Sequence, residues 1–248
     1  MKHVYLLTLL SLFTVPLTAQ DTFSIVAVDP RTGEIGAAGA SCVDLFQFDI
    51  DRADFLSQIV PGIGAVNTQA YYNPENQELA NRFLKMGLAP DQIITELESN
   101  DVEDRPYFRQ YGVVTLTNTT AKAWAYTGDS TNAYTGHIIG PGYAIQGNIL
   151  SGSAVLDSME ARFVRTEGDL ATRLMAAMQG ANVVGADSRC APNGTSSLFA
   201  FLKVAQPEDE EGMPSTLINV MTHDGDRKEP IDLLQRQFDQ MRAVQVRP

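Results

Sequence analysis

The chain has 248 residues and a formal net charge of −12. A field of that sign repels phosphate backbones, and no basic patch with interleaved aromatics offsets it, so nucleic acid is not an expected partner. Neither a repeat, a low-complexity tract nor a Pro/Ser linker divides the chain, and one domain over residues 21–248 is expected.

Residues 1–20 read as a signal peptide. Lys2 supplies the basic start, Val4 to Val15 is mostly apolar, Pro16 breaks the run, and Thr18, Ala19 and Gln20 follow. An apolar core of about a dozen residues is too short for a membrane helix, which needs about 20. No later segment is apolar enough to cross a bilayer, so the expectation is a secreted or periplasmic protein with no membrane partner. Three first mature residues stay open: Gln20, Asp21 and Thr22. Removing residues 1–20 takes away Lys2 and no acid, which makes the charge one unit more negative.

Thr22 to Val28 alternates apolar and polar residues and is followed by the turn Asp29-Pro30-Arg31-Thr32-Gly33 and a second strand, Ile35 to Ser41. The small residues of that strand, Gly36 to Ala40, imply close packing against it. A third strand is expected over Ile63 to Ala70, after Pro61-Gly62. Two helices come next. Leu79, Ala80, Phe83 and Leu84 share one face and Gly87 ends the first; Pro90-Asp91 opens the second, which buries Ile93, Ile94 and Leu97. Strands return at Tyr111 to Thr117, Lys122 to Tyr126 and Tyr143 to Leu150. A second helix pair carries the stripes Val155, Met159, Phe163 and Leu170, Leu174, Met178. Strands over Ser197 to Val204 and Leu217 to Met221 precede a last helix from Pro230, with Ile231, Leu234 and Phe238 on one side. Hairpins with helix pairs inserted point to antiparallel sheets covered by helices, not to alternating βαβ units.

Cys42 and Cys190 are the only cysteines. With no CxxC and no histidine cluster beside them, an exported protein favours a disulfide over two free thiols. The standard signatures GxSxG, GxxxxGK[ST], HExxH and SxxK are absent, and no cofactor or metal is expected. His137 lies between strands in Thr135-Gly136-His137, and His223 lies in a turn. Asp44, Asp49, Asp51 and Asp54 lack the third ligand and the glycine of a calcium loop and read as a solvated segment. More informative are polar residues beside glycines at strand ends: Asn67-Thr68-Gln69, Tyr126-Thr127-Gly128, Gln146-Gly147-Asn148 and Asp187-Ser188-Arg189. Amides there let a ligand approach the backbone, although Asn and Gly are also common in turns.

Several of these stretches carry a resemblance. Thr22-Phe23-Ser24-Ile25-Val26-Ala27 leading into Thr32-Gly33-Glu34-Ile35-Gly36 resembles the opening of the DUF1028 family. Gly64 to Ala70, Thr127-Gly128, Gly136-His137 and above all Gly142 to Gly152 fit the same family, as do Asp187 and Arg189 before Ser196-Ser197. That family is placed among the N-terminal nucleophile (Ntn) hydrolases. The resemblance therefore implies an α+β fold, an Ntn-hydrolase-like αββα four-layer sandwich of largely antiparallel sheets. It also implies an amidohydrolase acting on a small peptide or amide, for example a cell-wall fragment. Thr22 would be the catalytic nucleophile, with its own α-amine as base. Asn67, Gln69, His137, Gln146, Asn148, Asp187 and Arg189 would bind substrate. The Asp and Lys that assist the threonine in proteasome-type members have no evident counterparts here. The alternative is a non-catalytic periplasmic ligand-binding protein on the same sandwich, and such sandwiches often form homo-oligomers.

Overall fold

A computed structural model describes residues 22–245; the expected signal segment lies outside the described residues. β1 (Thr22–Val28) and β2 (Ile35–Ser41) form the expected hairpin, with Thr22 opposite Ser41 and Val28 opposite Ile35. Every residue of both strands is buried although the sequence of β1 alternates, because each strand has a packed layer on both faces. Phe23, Ile25 and Ala27 point into one core, and Val26 and Val28 into another. Thr22 and Ser24 share the parity of Val26 and form the polar end of that second face.

The remaining strands are β3 (Ser57–Val60), β4 (Gly64–Ala70), β5 (Arg109–Thr117), β6 (Thr120–Thr127), β7 (Gly136–Gly140), β8 (Tyr143–Gly147), β9 (Phe199–Ala205) and β10 (Thr216–Met221). They build a six-stranded sheet, β10-β9-β2-β1-β8-β7, and a four-stranded sheet, β3-β4-β5-β6. All pairings are antiparallel. Helices α1 (Pro74–Lys85) and α2 (Pro90–Ser99) cover the smaller sheet, and α3 (Ala154–Arg165), α4 (Leu170–Gly180) and α5 (Pro230–Gln245) cover the larger one. The sheets face each other through β1, β2 and β8 on one side and β4 and β5 on the other. Three apolar clusters fill the gaps between these layers, giving an αββα four-layer sandwich of antiparallel sheets.

The small residues of β2 do admit close neighbours: a Cβ on Gly36 would lie 2.6 Å from Leu174 Cδ1 of α4. Four sequence expectations need correction. β3 was not foreseen, because four residues are too few to show a period. His137 lies within β7, an edge strand, and not between strands. The strand from Tyr143 stops at Gly147, since Ile149 turns the chain with a φ of 53°. Asp54 is not solvated: it is 1% exposed and paired with Lys203 and Arg52.

Candidate functional site

Thr22 is fully buried at the head of β1, a central strand, where the inner faces of the two sheets meet. Asn148, one residue past the end of β8, holds it from both sides. The Thr22 N–H donates to Asn148 Oδ1 at 3.2 Å, and the Asn148 N–H donates to the Thr22 carbonyl at 3.0 Å. From the facing sheet, Gln69 Nε2 donates to the same carbonyl at 3.1 Å. Ile149, beside Asn148, is a β-branched residue in the left-handed region, so the backbone is strained where it grips Thr22.

A chain of amides runs outward from this point. Ser24 Oγ donates to Gln69 Oε1 at 2.6 Å and accepts from Gln146 Nε2 at 2.6 Å. Gln69 Nε2 donates to Gln110 Oε1 at 2.7 Å, and Gln110 Nε2 donates to Thr127 Oγ1 and to the Gly147 carbonyl, each at 2.9 Å. Thr127 Oγ1 lies 2.8 Å from His137 Nδ1. Desolvation lowers the pKa of His137, so its imidazole is neutral at neutral pH. The sheets approach closely enough here that Gly112 of β5 has no room for a side chain: a Cβ would collide with the Gln146 amide. Only glycine fits.

Asp187 and Arg189 reach the same end of the molecule by another route. Asp187, fully buried, accepts the Cys42 N–H at 2.7 Å, and Arg189 Nη2 pairs with it at 2.9 Å. Cys42 follows Ser41, the cross-strand partner of Thr22. Cys42 and Cys190 form a disulfide with Cα atoms 5.6 Å apart, tying the Asp187–Arg189 segment to the end of β2.

Gln69, Gln146, Asn148 and, through Gln110 and Thr127, His137 thus gather at the head of β1. Asn67 sits farther along: its Nδ2 donates to the Ile25 carbonyl at 3.3 Å. Most of these amides bond to one another or to backbone. Among the described residues, Asn67 Oδ1 and Gln146 Oε1 are buried without a hydrogen-bond partner. Ser24 and Gln110 escaped the sequence reading. The sole signal for Ser24 was its i+2 spacing from Thr22, which puts both on one face of β1. Among the described residues, no three His, Cys, Asp or Glu side chains are grouped to hold a metal ion.

The DUF1028 family, described as a family of unknown function, matches residues 22–233. The chain belongs to the DUF1028 family. A crystal structure of a DUF1028 protein from Silicibacter pomeroyi is similar at 22% identity and a TM-score of 0.67, covering 89% of this chain and 88% of that one. The Anbu (ancestral beta-subunit) protein from Yersinia bercovieri is similar at 10% identity and a TM-score of 0.40, covering 92% of this chain and 98% of that one. No curated protein matches the sequence. The DUF1028 match begins at Thr22, the residue that heads β1.

Proposed function

We propose that this DUF1028 protein is an exported Ntn-type amidohydrolase that cleaves a small peptide or amide, of the kind a cell wall releases, with Thr22 as nucleophile. The observation that carries the reading is the grip on Thr22. Its nitrogen is held by Asn148 Oδ1 at the end of a central strand, and its side chain shares the inter-sheet parity of Ser24. Removal of residues 1–21 turns that nitrogen into an α-amine with a pKa near 7.7–8.0, suited to accept a proton at neutral pH.

Asn148 then orients the amine. As Thr22 Oγ attacks the amide carbonyl, its proton passes to the α-amine and on to the leaving nitrogen, and the C–N bond breaks to leave an ester on Thr22. Water, deprotonated by the same amine, attacks the ester; the acid leaves and the hydroxyl is restored. The Cys42–Cys190 disulfide supports export, because oxidising compartments preserve such bonds.

N-terminal sequencing of the mature protein should find Thr22 first. Thr22→Ala should abolish turnover across a panel of chromogenic amides while circular dichroism stays native, and Thr22→Ser should keep part of the rate. An active Thr22→Ala variant, or an active protein that keeps Asp21, overturns the mechanism. The second reading, a non-catalytic ligand-binding protein, draws on the buried Asn67 Oδ1 and Gln146 Oε1, which have no hydrogen-bond partner among the described residues. A mature chain that keeps Asp21 and turns over no amide selects it.

A further inference from the structure

Five hydrogen bonds join Gln146 to His137 in one line, and their donors all point the same way. Gln146 Nε2 donates to Ser24 Oγ at 2.6 Å, and Ser24 Oγ to Gln69 Oε1 at 2.6 Å. Gln69 Nε2 donates to Gln110 Oε1 at 2.7 Å, and Gln110 Nε2 to Thr127 Oγ1 at 2.9 Å. The Thr127 hydroxyl, having taken a hydrogen from Gln110, gives its own to His137 Nδ1 at 2.8 Å. A neutral imidazole has one acceptor nitrogen, so the line ends on Nδ1 and the ring hydrogen sits on Nε2. The line starts in the larger sheet at β8 and β1, crosses β4, β5 and β6, and returns to the edge strand β7, where His137 is exposed.

Each link has two ways round. An amide given half a turn exchanges its donor and its acceptor, and a hydroxyl both gives and takes. The line therefore has two consistent directions, because a mixed one sets donor against donor or acceptor against acceptor. Side bonds favour the present direction: Gln69 Nε2 also donates to the Thr22 carbonyl at 3.1 Å, and Gln110 Nε2 to the Gly147 carbonyl at 2.9 Å. The opposite direction gives up both. In return it supplies a hydrogen to Gln146 Oε1, a buried atom without a hydrogen-bond partner among the described residues.

The charge on His137 chooses between the two. Once protonated, both ring nitrogens are donors, and Nδ1–H then meets the Thr127 O–H head on. Charge-assisted bonds are about twice as strong as neutral ones, so the hydroxyl yields, accepts from Nδ1 and turns its hydrogen towards Gln110. The groups that His137 meets on its own face of the sheet are uncharged: Ala123, Ala125 and Thr127 of β6, and Ala144 and Gln146 of β8. Lys122 and Tyr126 of β6 point to the other face of their sheet. Asp157, Glu160, Arg162 and Arg165 belong to α3, which lies behind β7 and β8, and Asp129 and Tyr134 belong to the segment before β7. Desolvation of the ring is what lowers its pKa, so the change of charge falls on the acid side of the ordinary histidine range.

We propose that a proton on His137 reverses this line, and that the reversal takes the Gln69 amide off the Thr22 carbonyl. The bonds then run from His137 Nδ1 to Thr127 Oγ1, from Thr127 to Gln110 Oε1, from Gln110 Nε2 to Gln69 Oε1, from Gln69 Nε2 to Ser24 Oγ and from Ser24 to Gln146 Oε1. One proton enters at His137 from solvent and none travels, since the hydrogens along the line turn with the groups that carry them. The Thr22 carbonyl keeps the Asn148 N–H and loses its bond to the facing sheet. As a control on turnover this rests on the hydrolase reading; as a property of the fold it does not.

NMR of the mature protein tests it between about pH 4.5 and 8, across the range in which histidine titrates. The side-chain amide signals of Gln69, Gln110 and Gln146, and the backbone N–H of Asn148, should shift with a single midpoint, that of the His137 ring protons. Thr127→Val keeps the size of the side chain and cuts the line: His137 should still titrate, and the four amide signals should no longer follow it. His137→Asn, a change at an exposed side chain, should abolish the common midpoint while circular dichroism stays native. The proposal is overturned if Gln69 and Asn148 stay fixed through the His137 midpoint, if they follow it as well in Thr127→Val, or if the response survives in His137→Asn. Nothing is turned over in this experiment. A protein that cleaves no amide yet shows the common midpoint keeps the switch and loses the hydrolase reading, and an active protein without that midpoint does the reverse.

Discussion

Asp54 and Lys203 are 149 residues apart in sequence and joined by a buried ion pair. Burial alone would raise the Asp54 pKa, but hydrogen bonds from Arg52 and the charge of Lys203 pull it down to about 2. Below about pH 4 the unfolded chain takes up a proton here that the folded chain refuses. Stability from this group is therefore complete above about pH 4 and lost as the pH falls towards 2, by roughly 2 kcal/mol. Lys203 moves the other way: burial outweighs its partner and lowers its pKa, so stability rises with pH in the alkaline range as the folded state sheds that proton first. Denaturation midpoints between pH 2 and 6 should fall less steeply for Asp54→Asn than for wild type. At pH 7 that variant, which strands Lys203, should lose about 3–5 kcal/mol. Lys203→Met should lose less, because Arg52 still pairs with Asp54. Equal losses would remove the argument. None of this was legible in the sequence, where Asp54 closes an acidic run and its partner lies in a distant strand.

At the scale of the elements, the positions that announced themselves are those where local chemistry dictates the backbone. Pro90 opens α2, apolar stripes mark α1 and α4, and Gly87 follows the end of α1 with a φ of 76°. β7 stayed hidden because Gly136-His137-Ile138-Ile139-Gly140 has no period of two, and only pairing with β8 makes it a strand. The amide chain was half legible for a related reason. Gln69, Gln146 and Asn148 stood out at strand ends, whereas Gln110 gains its meaning from a sheet-to-sheet contact. Two glycines separate the local from the tertiary cause. No heavy atom lies within 4 Å of a Cβ on Gly87, so Gly87→Ala should cost only the left-handed backbone term, about 1–2 kcal/mol. Gly112→Ala drives a methyl into the Gln146 amide and should cost about 1–3 kcal/mol. It should also free Gln146 from Ser24. Urea midpoints give the two energies. Side-chain amide resonances should shift for Gln146 and Gln69 in Gly112→Ala and stay fixed in Gly87→Ala; shifts in both would show that the contact between the sheets is not what sets them apart.

Across the whole molecule, the disulfide adds a covalent link between the end of β2 and a segment that also bonds to the turn after β8, through the Ser188 N–H and the Ile149 carbonyl. Cys42 lies just past β2 and Cys190 just past Asp187, 148 residues apart in sequence. Composition pointed to the pair, but its place beside Thr22 needed the fold, since Cys42 follows the residue opposite Thr22. Closing so long a loop restricts the unfolded chain far more than the folded one, by about 4–5 kcal/mol in chain-entropy reasoning. The Cys42→Ala/Cys190→Ala variant should therefore unfold at a clearly lower urea concentration, with a stability loss of roughly 2–5 kcal/mol. The sandwich itself should survive, because its three apolar clusters do not depend on the bridge. The local consequence is sharper. The Cys42 N–H is bonded to the buried Asp187 carboxylate, and the bridge holds those two segments together. In the double variant the amide of residue 42 should exchange with solvent faster than those of Ile25 and Val26, beyond what the global loss predicts. Uniform acceleration at all three would mean that the bridge stabilises the molecule as a whole and does not act as a clamp on the segment over Thr22.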